Sequence, residues 1–459
     1  MIKILQTKFL YLLPLPLVLN FFSNLFEQNT SFMNFQIYDV ASSLLIFLFL
    51  YSVGFCFKSV FKNMTVTFGI ISYLFSFFIL ESIILFFYTD INLHIVFVVT
   101  NLLWCLFYLS ATREKKVFLI VISLYFLMFY LNNYFIDFLS INMNIKGDVK
   151  DVFFPNTLTI YEISFKESIL NPTMSGYPQF MSYIDALIFK ISFGLEDYSY
   201  IASTSLVFFW MHLLLFSEAV RDNKIKIFTG LLFSLLIINS EWLQFLFTTS
   251  LMSERMAGYF LAGTLITLFK IKNISFIEIS TIFFITSFVY NTKQFFSIMV
   301  PILFLIFLFK KPYRRGSIFL LSGMILNLLS YRTYFSSVPG DHHIRQIDIL
   351  DTIQDLLLFR DLKIENIMVI SQNLLIDKPT TYFLIISISI YLIIFRKGKS
   401  DRELNLYIFL SALNLLLILV LYISAWRGME LESPIRYIYS FMVFYFIIFS
   451  KSYERLQNQ

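Results

Sequence analysis

Charge is scarce in this chain: Asp, Glu, Lys and Arg make up 14% of its 459 residues, while hydrophobic residues make up 58%. A soluble chain carries about a quarter charged residues. That class is therefore excluded, and with it the two or three soluble domains that length alone would suggest. Cysteine is scarcer still. Cys56 and Cys105 lie in or beside apolar runs with no metal-ligand spacing, so neither a disulfide framework nor a metal cluster follows. No P-loop and no Asp-x-Asp signature occurs in a basic loop, which argues against a cytoplasmic enzyme working on nucleotide-activated sugars. Internal repeats and low-complexity linkers are absent, and nothing points to a nucleic-acid partner.

What is abundant is apolar length. Mean hydropathy is +0.75, and apolar runs recur at the roughly 17–25 residues that cross a ~30 Å hydrocarbon core as helix. A β-barrel would show short alternating segments instead. The expected fold is an all-α polytopic membrane protein of about 14 transmembrane helices. Spans are expected near 9–26, 40–57, 65–88, 95–111, 117–137, 199–219, 226–243, 256–270, 274–290, 295–309, 317–333, 379–395, 404–423 and 435–450. The first follows Lys3 and Lys8 and lacks a small-residue cleavage site, so it reads as a retained helix rather than a signal peptide.

Charge tests the arrangement. With the N-terminus inside, the clusters at 58–62, 113–116, 221–226, 270–272, 310–315, 396–399 and 451–455 fall on one side, as the positive-inside rule requires. Both termini are then cytoplasmic, in the inner membrane. A span at 178–194 would invert every later loop, so that run is expected to lie at the outer interface or to dip into the membrane and return, with Asp185 and Lys190 compatible with an interfacial helix. A transporter would show inverted repeats and charged residues within its helices; neither is read in this sequence. Trp104, Trp210, Trp242 and Trp426 read as interfacial belt residues. His94 and His212 read as structural or anchoring residues.

The polar material then falls outside. It comprises a long loop at 138–177, turns at 244–255 and 291–294, a second loop at 334–378 whose apolar spacing after Arg345 is helical, and the stretch at 425–434. The division is thus a four-helix module at 1–116, a core at 117–333, the loop at 334–378 and C-terminal helices at 379–459. Within the first loop Asp148 and Asp151 stand beside a membrane surface, where a carboxylate gains basicity. The alternative is an ordinary solvated or helix-capping Asp.

One segment, Asp148-Val-Lys-Asp151-Val-Phe153-Phe154-Pro155, followed by Gly176-Tyr177-Pro178-Gln179-Phe180, resembles the first extracytoplasmic loop of the superfamily C glycosyltransferases. In that family an Asp precedes a Pro by seven positions and a Tyr-Pro-Pro opens the next helix; here Gln replaces the second Pro. Three further likenesses follow in order. Ser253-Glu254-Arg255 stands where members carry Tyr-Ala-Asp, Asn291-Thr292-Lys293-Gln294 where they carry Thr-Lys, and Arg436-Tyr437 where they carry Arg-Tyr. The resemblance covers roughly 117–449 and is similar to aminoarabinose transferases and protein mannosyltransferases. Members have one helix before the catalytic loop, whereas this chain has five. The shorter loop at 27–39 is therefore the second candidate for that role.

The resemblance implies a polyprenyl-phosphate sugar donor, a glycan, lipid or protein acceptor, and transfer in the cell envelope. Asp148 would be the base, with Asp151 its substitute, and Glu254 a second carboxylate orienting the acceptor. Arg436 and Lys293 would hold the departing phosphate, the first with planar bidentate donors and the second as a point charge; helix-end snorkelling is the plain alternative. Tyr177 and Tyr437 fall in the matched motifs as substrate contacts. Arg345, His342 and His343 would reach the phosphate, or belong to a charged amphipathic loop helix. No metal site is assigned and no cofactor is required, with Mg²⁺ or Mn²⁺ optional between paired carboxylates. Two readings compete: an O-antigen polymerase or ligase working through 334–378, and a lipid or glycan transporter without chemistry.

Overall fold

The computed structural model describes residues 37–87, 89–111, 154–170, 180–191, 199–240, 253–271, 275–289, 299–309, 313–337, 372, 378–396, 402–424 and 441–457, with backbone alone at 37–42, 199–205, 238, 253–255, 299, 327–328, 330–337 and 418–424. Among these residues are fifteen helices and no strand. In chain order they are α1 (Ile37–Val60), α2 (Val66–Phe86), α3 (Leu93–Ala111), α4 (Phe154–Glu162), α5 (Phe165–Leu170), α6 (Phe180–Ile191), α7 (Ser199–Ala219), α8 (Asn223–Asn239), α9 (Ser253–Lys270), α10 (Phe276–Ser287), α11 (Met299–Leu308), α12 (Arg314–Ser337), α13 (Lys378–Arg396), α14 (Arg402–Ser424) and α15 (Met442–Gln457).

Four segments are long and apolar enough to cross a membrane: Ser43–Val60, Val66–Phe86, Leu93–Ala111 and Lys378–Phe395. They divide by burial. The first two are mostly enclosed by protein, whereas α3 and α13 turn apolar side chains outward, including Ile95, Leu102 and Leu106 on one and Ile385, Leu392 and Phe395 on the other. Apolar stripes of that length are not stable against water; they match a hydrocarbon surround.

Packing among the inner helices depends on close backbone approach. A Cβ at Gly69 would lie 2.7 Å from the Gly54 Cα, and one at Gly54 only 2.5 Å from the Val66 carbonyl oxygen. α1 and α2 therefore cross where neither helix has a side chain, as small residues allow between membrane helices. Gly316 meets Ile279 and Gly323 meets Ser287, so α10 and α12 run side by side in the same direction.

The helix directions alternate about one end rich in cations. The Lys270 ammonium feels the charges of Glu218, Lys58, Lys451 and Lys226, which brings the C-terminal turns of α1, α7, α9 and α15 together with the start of α8. Glu218 ties the end of α7 to the start of α2, and Glu454 of α15 accepts from Arg221 N at 2.8 Å and Asp222 N at 2.7 Å just before α8. Asn63 donates to Glu278 at the start of α10 (3.3 Å), and Lys451 pairs with Glu403 at the start of α14. We call this the basic end. Of the helices that begin there, α8 is capped by Asp222, α10 has a capping box with Glu278 and α14 carries Glu403 in its first turn, while α1, α9 and α15 end there with a basic last turn (Lys58, Lys270, Arg455); in these six the signs are those the helix dipole favours.

Two sequence expectations change. Trp210 is no belt residue: it is fully buried, beside Phe47 and Phe209. Trp104 is half-buried and donates Nε1–H to the Ser76 hydroxyl at 2.8 Å. Protein encloses the Trp210 ring, although its Nε1–H makes no hydrogen bond, and Ser76 takes the Trp104 N–H, so neither indole relies on a wet interface. His212 is buried as expected, its Nδ1 lying 2.6 Å from the Phe208 carbonyl oxygen.

Candidate functional site

The end opposite the basic one carries a layer of short helices. Pro155 lies in the first turn of α4, where a missing N–H removes no helical bond. The turn closes with Ile163 N and Ser164 N donating to the Thr159 carbonyl, and the Ser164 hydroxyl accepts from Glu167 N at 3.1 Å to start α5. Phe165 of α5 then packs against Phe78 of α2 and Tyr183 of α6 at ring distances of 5.8 and 5.0 Å. Asn92, ahead of α3, donates to the Ile163 carbonyl at 3.3 Å and anchors the layer from the other side.

α6 differs from the surface helix that the sequence predicts. Its twelve residues extend about 18 Å, well short of a ~30 Å core. Every side chain is buried except that of Lys190, and Asp185 is 0% exposed. The helix packs against α2, α3, α4 and α7, and Tyr183 Oη donates to the Phe77 carbonyl at 3.4 Å. A short helix at this depth is stable because protein surrounds it on all sides. An interfacial helix would keep one polar face in water.

Beneath this layer lies Glu81, which the sequence reading passed over. It sits three-quarters of the way along α2, is 1% exposed, and its Oε2 makes no hydrogen bond. Tyr183 and Asp90 lie close enough to exchange electrostatic influence with it. The only sequence signal was a single acid in a long apolar run; such residues are rare within membrane helices and face protein interiors. The expectation of no charged residue within a helix is therefore corrected. At the rim, His94 sets its ring edge-on to Tyr161 at 5.6 Å, Tyr161 meets Phe189 at 5.9 Å, and Lys190 lies within electrostatic reach of His94.

Asp148, Asp151, Tyr177, Lys293, His342, His343, Arg345, Arg436 and Tyr437 lie outside the described residues, as do residues 27–36 of the loop at 27–39, whose last three residues are instead the backbone start of α1; Glu254 has its backbone in the first turn of α9 and its side chain outside them. The helices that adjoin these positions share one end, however. α4 begins three residues after Asp151 and α6 three after Tyr177. Phe180, at the start of α6, packs on Phe260 of α9 and on Phe75 and Phe78 of α2. Since Lys270 marks the basic end of α9, Glu254 begins that helix at the opposite one. The turn after α10 places Phe288 against Phe78 at 6.3 Å, just before Lys293. α15 is the exception: Met442 lies nine residues, about 14 Å, before Lys451, and Phe444 packs on Tyr407 near the start of α14, so this helix begins partway along the bundle rather than at this end.

The described residues hold no group of three or more His, Cys, Asp or Glu side chains able to bind a metal ion. No family model, curated protein or solved structure matches the chain.

Proposed function

We propose that this chain is an inner-membrane glycosyltransferase of the superfamily C type, moving a sugar from a polyprenyl-phosphate carrier to a glycan, lipid or protein acceptor. One observation supports the reading: helix termini that adjoin three of the four resembling motifs, those before α4 and α6, at the start of α9 and after α10, lie toward one end of the bundle, away from the cations. The basic end is cytoplasmic by the positive-inside rule, both termini lie there, and about 14 spans make up the chain. The opposite end then faces outward, as transfer from a flipped polyprenyl carrier requires.

In this reading Asp148 takes the acceptor proton, with Asp151 as its substitute, and Glu254 orients the acceptor. Arg436 and Lys293 neutralise the departing phosphate, and Tyr177, Tyr437, His342, His343 and Arg345 line the approach. Mg²⁺ or Mn²⁺ remains optional. A polymerase or ligase working through 334–378 is the second reading, favoured by α12 ending and α13 beginning at that same end.

The test is purified protein in nanodiscs, given a labelled polyprenyl-phosphate sugar and an acceptor extract. Asp148→Ala is expected to lower transfer by about 10²–10⁴-fold, the range of a general base. Unchanged transfer in the Asp148→Ala/Asp151→Ala double variant, with loss in Arg345→Ala, overturns the first reading in favour of the second. Movement of labelled lipid across vesicles with no product overturns both.

A further inference from the structure

Lys190 is the single α6 side chain not enclosed by protein. Partial burial holds its ammonium below the ordinary lysine range, and no carboxylate among the described residues offsets that cost. Its neighbour His94 has a buried Nδ1 with no hydrogen-bond partner. A cation without an ion pair among the described residues thus stands beside an unsatisfied imidazole, at the rim of the outward layer. The acids on the adjoining turns, Asp90 and Glu162, are both exposed.

Directly below His94, α3 turns Ile95, Val98, Leu102, Leu106 and Leu109 outward. The stripe follows helical spacing and begins on the flank that carries His94. From Ile95 to Leu109 it runs about 21 Å at 1.5 Å per residue, whereas one leaflet is about half of a ~30 Å core. An acyl chain anchored at the surface ends near the midplane; a chain following the whole stripe must be longer.

We propose that Lys190 and His94 form a headgroup site for a long-chain isoprenoid phosphate, with its tail lying along the outward face of α3. The choice of occupant rests on the proposed function; the site itself rests on a cation with no ion pair among the described residues, the ring nitrogen without a hydrogen bond and the length of the stripe. Phosphate would supply acceptors for both groups through charge-assisted bonds, and the tail would cover apolar surface already facing hydrocarbon. Tyr161, edge-on to His94, fixes the orientation of the ring.

Native mass spectrometry of the full chain with undecaprenyl phosphate tests this. Lys190→Gln is expected to weaken binding about 10-fold, the loss of about one charged hydrogen bond, and Lys190→Arg to restore it. Phosphatidylglycerol should not compete. Binding by Lys190→Gln equal to that of the parent overturns the site, and so does equal displacement by phosphatidylglycerol, which would mark an ordinary boundary-lipid contact. Sugar transfer is measured separately. Transfer that survives while Lys190 proves irrelevant to binding removes the site and leaves the enzyme reading. Lys190-dependent binding in a protein that transfers no sugar does the reverse.

Discussion

Removing the Glu218 carboxylate should loosen the joint between α7 and α2. Its Oε1 accepts from Val66 N at 2.8 Å and its Oε2 from Thr67 N at 3.0 Å, while the Thr65 hydroxyl accepts from Phe68 N at 3.1 Å. Gly69 N, donating to the Thr65 carbonyl at 3.2 Å, makes the first bond internal to the helix. Three otherwise orphaned donors of α2 are therefore satisfied from outside the backbone, two of them by a residue about 150 positions away. A hydrogen bond to a charged group contributes about 1.5–3 kcal/mol, and a donor left buried without a partner costs about 1–3 kcal/mol. This site is only partly buried, so Glu218→Ala should cost about 3 kcal/mol in total. Glu218→Gln keeps one acceptor oxygen and loses the charge, at about half that cost. In detergent, thermal unfolding followed by fluorescence-detected size exclusion should rank the parent highest, then Gln, then Ala, with Ala lower by roughly 5 °C or more. Lys270, whose ammonium lies within electrostatic reach of Glu218, sharpens the test. If the Ala variant suffers partly from that abandoned cation, adding Lys270→Met should recover part of the loss. Equal melting of the parent and Glu218→Ala would refute the account of how α2 is capped.

Gly69→Ala should sharply reduce the yield of monodisperse protein, because its Cβ meets the Gly54 backbone at 2.6–2.7 Å. Gly263→Ala should be milder, since its first obstacle at 2.6 Å is the movable tip of Ile71; equal loss in both variants would refute the crossing argument. In a background with Cys56 and Cys105 replaced by Ser, a cysteine at Asp90 should react with an impermeant maleimide in intact cells, whereas one at Lys224 should react only after permeabilisation. The reverse pattern would invert the proposed orientation. Glu454→Ala, which deprives Arg221 N and Asp222 N of their acceptor, should cost about 1–2 kcal/mol at this exposed site, read as a lower melting temperature; no change would refute the tie between α15 and α8.

The helical, apolar class was legible in the sequence because it is an additive property: apolar length excludes a soluble fold residue by residue. The surroundings of α6 were not legible. An apolar run with Asp185 and Lys190 reads alike whether lipid, water or protein covers it, and only the meeting of α2, α3, α4 and α7 decides that. Glu81 was hidden for a related reason: one acid hardly lowers the mean hydropathy of a span, although burial makes it the costliest residue there to leave unpaired.

The acids at the basic end connect these levels. Read along the chain, Glu218, Asp222, Glu278, Glu403 and Glu454 only dilute the positive clusters, and a net-charge argument would discount them. In the fold each takes a place that helix direction prescribes. Asp222 caps the first turn of α8 (Lys224 N, 2.7 Å), Glu278 completes a capping box with Ser275, and Glu218 and Glu454 reach across to the starts of other helices. Lys58, Lys270 and Arg455 fall at helix ends arriving there, where the opposite pole of the dipole receives them. Orientation in a membrane and capping of the helices are thus compatible demands on one layer of charge. The excess of Lys and Arg is what the proposed cytoplasmic orientation of this face rests on, and the minority of acids, placed by contacts that no local pattern reveals, holds helix starts in register. The opposite end carries instead the short helices α4, α5 and α6, the last of them enclosed by protein.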